Sequence, residues 1–89
     1  MDFEWDEAKA YTNVAKHGIS FVEATSVFAD GYSSCVADPD HSYGEKRFLL
    51  FGISLQGNYL VVSFTERLDT IRIISARSMT RQERSAYEQ

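Results

Sequence analysis

Residues 46–77 read KRFLLFGISLQGNYLVVSFTERLDTIRIISAR, and this stretch decides the fold class. It holds three runs rich in β-branched and aromatic residues. Lys46–Ile53 ends at the turn Gln56-Gly57-Asn58, Tyr59–Thr65 ends at Leu68-Asp69, and Thr70–Arg77 is the third. Connections this short predict antiparallel hairpins, because a parallel return needs a crossover of a dozen residues or more. Alternation places Phe48/Leu50, Leu60/Val62/Phe64 and Ile71/Ile73 on one sheet face. Leu49/Phe51/Ile53 and Ile74 fall on the other. The sheet is therefore partly covered on both sides, or it keeps an apolar surface for a partner.

Upstream of this meander, Phe3-Glu4-Trp5 reads as a short edge strand. Asp6 is placed to cap a helix running to about His17, and Gly18 follows where a C-terminal glycine belongs. Ala8, Tyr11, Val14 and Ala15 fall near one face of that helix and are its expected buried side. Ser20 and Glu23 have capping-box spacing and open a second helix to about Phe28, which buries Phe21, Ala24, Val27 and Phe28. The turn Asp30-Gly31 leads to a strand over Tyr32–Val36, and Ala37–Gly44 is a polar loop with the only proline, Pro39. Beyond the meander, Thr80 and Glu83 repeat the capping-box spacing and open a C-terminal helix to about Tyr87. The expected class is α+β: a small single domain over residues 1–89, with an antiparallel sheet packed against two N-terminal helices, plus a C-terminal helix.

The composition fits a globular chain and excludes disorder or low complexity: of 89 residues, 44% are hydrophobic and 25% charged. No apolar run approaches the roughly 20 residues of a membrane span. The acidic start (Asp2, Glu4, Asp6, Glu7) lacks the features of a secretion signal. One cysteine, Cys35, cannot staple the fold, so the expected compartment is the cytoplasm and the expected role of Cys35 is a buried structural one. The net charge of −4 conceals a division. Residues 1–45 carry nine acids and two lysines, whereas residues 46–89 carry seven bases, six of them arginine, against four acids. Arginine grips phosphate or carboxylate through two hydrogen bonds, which lysine does not. The plainer reading is that these arginines are solvated or pair with acids of the first half, or, for Arg72 and Arg77, form a salt bridge to Glu66, Asp69 or Glu83.

Three stretches, FEWDEAKAYTNVAKHGISFVEA, DPDHSYGEKR and IRIISARSMTRQERSAYE, together resemble the signature blocks of the BrnT family of ribonuclease toxins. These toxins belong to bacterial type II toxin–antitoxin modules. The resemblance spans almost the whole chain in the family's order. It implies a RelE-like fold and a tight complex with a BrnA-like antitoxin. That antitoxin is a ribbon-helix-helix protein that binds operator DNA, expected in a 2:2 heterotetramer with the toxin. Ser78-Met79 stand where family members often carry Lys-Ala, which removes one cation.

Metal-independent RNA cleavage by 2′-OH attack needs a base, cations for the developing phosphorane charge, and an acid for the 5′-oxygen. The candidate catalytic residues are His41, Glu45, Arg72 and Arg77, and the candidate RNA-binding residues are Lys16, His17, Arg47 and Arg67. Glu45 is either the base or the residue that orients Arg47. Arg72 and Arg77 are ranked together on the resemblance. In a regular strand, five positions apart, they point to opposite faces, so one site for both requires a bulge or a re-aimed strand end. Lys16 and His17 have a plainer explanation: cations at a helix C-terminus contribute ~0.3–1 kcal/mol. His17, His41 and Cys35 lack paired metal-ligand spacing, so no metal and no cofactor is expected. A thiol hydrolase built on Cys35 would need a histidine contact that sequence cannot supply. Trp5, Tyr11, Tyr32, Tyr43 and Tyr59 are candidates for base stacking, though most are more simply core or interface residues. The competing function is a non-catalytic toxin or co-repressor, a binding protein of the gyrase-inhibitor kind, whose arginines anchor an interface.

Overall fold

The computed structural model describes residues 1–42 and 44–89; Tyr43 lies outside the described residues. Over these described residues the fold is α+β, with three α-helices and a five-stranded sheet. Its elements are β1 (Asp2–Glu4), α1 (Glu7–His17), α2 (Phe21–Ser26), β2 (Ser34–Ala37), β3 (Arg47–Ile53), β4 (Tyr59–Arg67), β5 (Thr70–Ser78) and α3 (Arg81–Tyr87). Short 3₁₀ turns occupy Val27–Ala29 and Pro39–His41. The sheet order is β1-β5-β4-β3-β2, antiparallel except for β1, which lies parallel to β5.

Local chemistry sets the boundaries. The Asp6 side chain accepts hydrogen bonds from the backbone N–H groups of Ala8 and Lys9, satisfying two orphan donors at the start of α1. Gly18 ends α1 at φ +71°, a conformation that favours glycine. Ser20 caps α2, but the box is half-made. The Glu23 carboxylate instead accepts from Ser54 Oγ and Asn58 Nδ2 and ties α2 to the β3–β4 turn. Both halves of the box form at Thr80 and Glu83. Gly52 is required by close approach: a Cβ there would lie 2.7 Å from Val27 Cγ1 and 3.0 Å from Asp30 Oδ2.

The core lies on the α1/α2 side of the sheet. Ile19, Phe21, Ala24 and Val27 pack against Leu50, Leu60, Val62, Phe64, Ile71, Ile73 and Ala76. Edge-on and stacked contacts link Phe3, Phe28, Phe64 and Phe48 along its flank. α3 lies on the outer side, where Ala86 and Tyr87 border a hollow with Ser34, Val36 and Phe51. Tyr87 Oη donates to Asp30 Oδ2 at 2.7 Å, and the same oxygen accepts from the Ile53 amide at 2.8 Å.

Three expectations are corrected. The expected buried side of α1 is exposed at all four positions, Ala8, Tyr11 (80%), Val14 and Ala15, whereas Asn13 is the buried residue of α1. Its amide pairs with the backbone of Ala76 in both directions and also donates to the Ile19 carbonyl. A single side chain thereby takes the place of a neighbouring strand beyond the end of β1. Cys35 is exposed rather than buried, on the short edge strand β2. Partial desolvation, with Glu66 nearby, still pushes its thiol pKa up. Ile74 does not join the outer face; it borders a cleft beside Ala8, Lys9 and Thr12 of α1.

Candidate functional site

The departure of Ile74 is the key to the site. β5 pairs with β4 as Phe64↔Ile73 and then Ser63↔Ser75, so Ile74 is an extra residue bulged out of the register. The bulge reverses the alternation once. Arg72 lies opposite Thr65 and Arg77 opposite Val61, and both partners have the parity of the outer face. The two arginines therefore share one face although they stand five positions apart. They are four β4 residues from each other, about 13 Å along the strand.

Around Arg72 a charged cluster assembles. The registers align Glu4, Arg72, Thr65 and Arg47 in one row across β1, β5, β4 and β3. Arg72 Nη1 donates to Glu4 Oε2 at 2.6 Å, joining two strands whose residues are 68 positions apart. Glu45, just before β3, receives Arg67 Nε and Nη2 at 2.9 and 2.8 Å in a bidentate pair. That pair holds the Glu45 carboxyl below its usual range, with Arg72 and Arg47 adding to the effect, and it raises Arg67. Glu45 thus orients Arg67 rather than Arg47. Among the described residues, Arg47 has no carboxylate within ion-pair distance.

Arg77 belongs to a second group. Its guanidinium grips Glu83 bidentately at 2.7 and 3.0 Å, which holds the Glu83 carboxyl at about 2 and raises Arg77. The same carboxylate caps the N-terminus of α3. Beside it, Arg84 lies 3.8 Å over the Tyr59 ring, and Tyr59 meets Tyr87 edge-on.

The remaining candidates stand apart. His41 Nδ1 lies 3.0 Å from Asp38 Oδ2, and the imidazole is well exposed on its loop. Ser42 Oγ accepts from the Arg47 amide, so the loop is fastened where β3 begins. Lys16 and His17 occupy the last turn of α1 and border the cleft with Ile74 and Ser75, at the β5 edge rather than on the outer face. The structure therefore brings Glu45, Arg47, Arg67 and Arg72 together, adds Arg77 farther along the same face, and leaves His41, Lys16 and His17 outside the cluster. Glu4 is the residue that sequence reasoning missed. Its only signal in the sequence was its place as the one polar residue between Phe3 and Trp5. Among the described residues no group of three or more His, Cys, Asp or Glu side chains is arranged to hold a metal ion. No helix among them is long and apolar enough to cross a membrane.

A second feature is an open apolar groove of about 650 Å³ between α1 and α2, lined by Trp5, Tyr11, Val14, Phe21 and Val22. Among the described residues Glu7 is the one charged residue lining it.

This architecture and this chain match known proteins. A crystal structure of the Brucella abortus ribonuclease toxin BrnT superposes with a TM-score of 0.66 at 26% identity, covering 91% of this chain and 99% of that one. The class is thus that of a ribonuclease toxin of a type II toxin–antitoxin system. The family described as "Ribonuclease toxin, BrnT, of type II toxin-antitoxin system" matches residues 5–83, and the chain belongs to that family. Among curated proteins no sequence matches it.

Proposed function

We propose that this toxin is an endoribonuclease, one RelE-like domain over residues 1–89, that cleaves cellular RNA without a metal ion and so stops translation in the cytoplasm. The observation that carries this reading is the bulge at Ile74, which puts Arg72 and Arg77 on one face with Arg47 and Arg67. Such a face offers an RNA strand successive guanidinium contacts, and Arg72 with Arg47 and Arg67 supplies cations that would stabilise phosphorane charge. Glu45 holds Arg67 in place, and His41, on the neighbouring loop, stands as a further candidate catalytic residue. Lys16 and His17 would extend the RNA contact around the β5 edge. The acidic N-terminal half is no obstacle, because steering follows local potential rather than net charge.

The antitoxin of the module is proposed to be BrnA-like, in a 2:2 assembly that reaches operator DNA through the antitoxin. The groove between α1 and α2 suits an amphipathic helix of that partner. Its walls are apolar, and with Glu7 as its only charged lining residue among the described residues it favours a helix with basic flanks over a second copy of this acidic surface.

One observation favours the non-catalytic alternative. Arg67, Arg72 and Arg77 each already hold an internal carboxylate, as interface or structural arginines do. The deciding experiment is cleavage of a labelled RNA in EDTA by wild type, Arg72→Ala/Arg77→Ala and His41→Ala, with folding checked by circular dichroism. The nuclease reading expects wild-type cleavage, a loss of about 10²–10³-fold or more in the double variant, and a rate that falls steeply with salt. A folded, antitoxin-free wild type that leaves the RNA intact refutes it.

A further inference from the structure

The outer face carries a carboxylate that no sequence motif singled out, and its geometry differs from that of its neighbours. Glu45 has both oxygens engaged by Arg67. Both oxygens of Glu83 are engaged by Arg77, and one of them also caps α3. In both, each oxygen already accepts from an arginine, so a substrate hydroxyl would compete for a remaining lone pair on an ion-paired oxygen. Glu4 is different. Only its Oε2 is engaged, by Arg72 Nη1, and among the described residues its Oε1 accepts no hydrogen bond. The side chain is 40% exposed, so a substrate hydroxyl can reach it.

The surroundings suit proton abstraction. β1 is short and at the sheet edge, so Glu4 stands at the rim of the arginine face, in register with Arg72 and one strand removed from Thr65. Arg72 uses one Nη hydrogen on Glu4 and retains further N–H donors in the plane of its guanidinium. A phosphate held by those donors lies beside the carboxylate. The 2′-OH of the adjoining ribose then has an acceptor next to the cation that stabilises the charge its attack creates.

We infer that Glu4 is the general base of the reaction, with Arg72 as the phosphate-binding group that also orients it; this rests on the ribonuclease reading of the same face. Glu4 Oε1 takes the 2′-OH proton as the 2′-oxygen bonds to phosphorus. The P–O5′ bond breaks with its electron pair leaving on O5′, and O5′ receives a proton from solvent water. The products are a 2′,3′-cyclic phosphate and a 5′-OH, with no reactant consumed beyond the RNA, and loss of its proton to solvent restores the Glu4 carboxylate.

Glu4→Gln tests this, because the amide carbonyl can still accept from Arg72 while proton uptake is lost. The measurements are the single-turnover cleavage rate in EDTA as a function of pH, and affinity for an RNA with a 2′-deoxy residue at the scissile position. Glu4→Gln is expected to cleave about 10²–10⁴-fold more slowly, to bind within about threefold of wild type, and to lose the rise of rate on the acidic side of the profile. Glu4→Asp should recover part of the rate together with that limb. Four results overturn the assignment: Glu4→Gln cleaving within about threefold of wild type; affinity falling in step with rate, the mark of a structural clamp; the acidic limb surviving in Glu4→Gln; or that limb being lost in Glu45→Gln instead. The first and last of these leave the ribonuclease reading intact. A folded wild type that does not cleave removes the reading and the assignment together.

Discussion

Replacing Asn13 isolates the contact that secures the β5 edge next to Arg77. Asn13 is 6% exposed and makes three hydrogen bonds: Nδ2 to the Ile19 and Ala76 carbonyls at 2.9 Å each, and Oδ1 from the Ala76 amide at 3.2 Å. Asn13→Leu keeps the branched shape in a somewhat larger side chain and strands one buried N–H and two carbonyls. At about 1–3 kcal/mol per unsatisfied buried group, with partial relaxation, the expected loss is roughly 3–5 kcal/mol. A chain of this size has on the order of 4–13 kcal/mol in total, so much of the stability goes. Asn13→Asp is isosteric and should be worse at neutral pH, because it sets a carboxylate against two carbonyls in place of the donor they need. Urea unfolding followed by circular dichroism reads this directly. With a slope near the low end of about 1–3 kcal/mol per molar, the midpoint of Asn13→Leu should drop by roughly 2–3 M. Asn13→Asp should fall further and recover at acidic pH, where the neutral acid regains a donor. A midpoint within about 0.5 M of wild type for both variants would refute the strand-replacing role of this amide.

Four further outcomes follow from the same contacts. Glu83, held at about 2 by Arg77, adds stability that is fully present above the ordinary carboxyl pKa of 4.5 and is lost as pH falls through about 2. Allowing for partial exposure, this is about 1 kcal/mol, and Glu83→Gln should lack that part of the acid sensitivity in thermal melts across pH 2–6. The Tyr87 hydroxyl, pushed up to about 12 by burial and by its bond to Asp30, is removed in Tyr87→Phe, which should lower Tm by roughly 4–10 °C for about 1–1.5 kcal/mol. Gly52→Ala drives a methyl into Val27 and Asp30 and should cost about 1–3 kcal/mol in urea unfolding. Tyr11→Glu/Val22→Glu alters only exposed positions of the apolar groove; it should leave Tm and RNA cleavage unchanged and weaken neutralisation by antitoxin about tenfold or more in a cleavage-inhibition titration.

The elements were largely legible because each was written in local chemistry. Period-2 alternation marked β3, β4 and β5, and Asp6, Gly18 and Thr80/Glu83 marked helix ends by the groups they satisfy or the φ they allow. The contents of the faces were less legible. The stripe of Tyr11 and Val14 has helical spacing but faces an open groove, whereas Asn13, polar by type, is buried because a backbone 63 positions away satisfies it. No local pattern encodes such a partner. Ile74 fits the alternation of a regular strand, and only the register against β4 reveals it as the extra residue that turns Arg77. The need for a bulge was readable from the five-residue spacing; its place was not. The arginines were visible as a cluster in sequence, but of their carboxylate partners only Glu83 lies nearby, while Glu4 and Glu45 reach Arg72 and Arg67 through strand pairing.

The central claim is that the outer arginine face cleaves RNA through the substrate's own 2′-hydroxyl, and end-group analysis tests it most directly. A labelled RNA incubated with the purified chain in EDTA should yield fragments ending in 2′,3′-cyclic phosphate and 5′-OH, and a 2′-deoxy substitution at the cleaved position should abolish the cut. Cleavage that persists at the deoxy position, or fragments bearing 5′-phosphate, would contradict it.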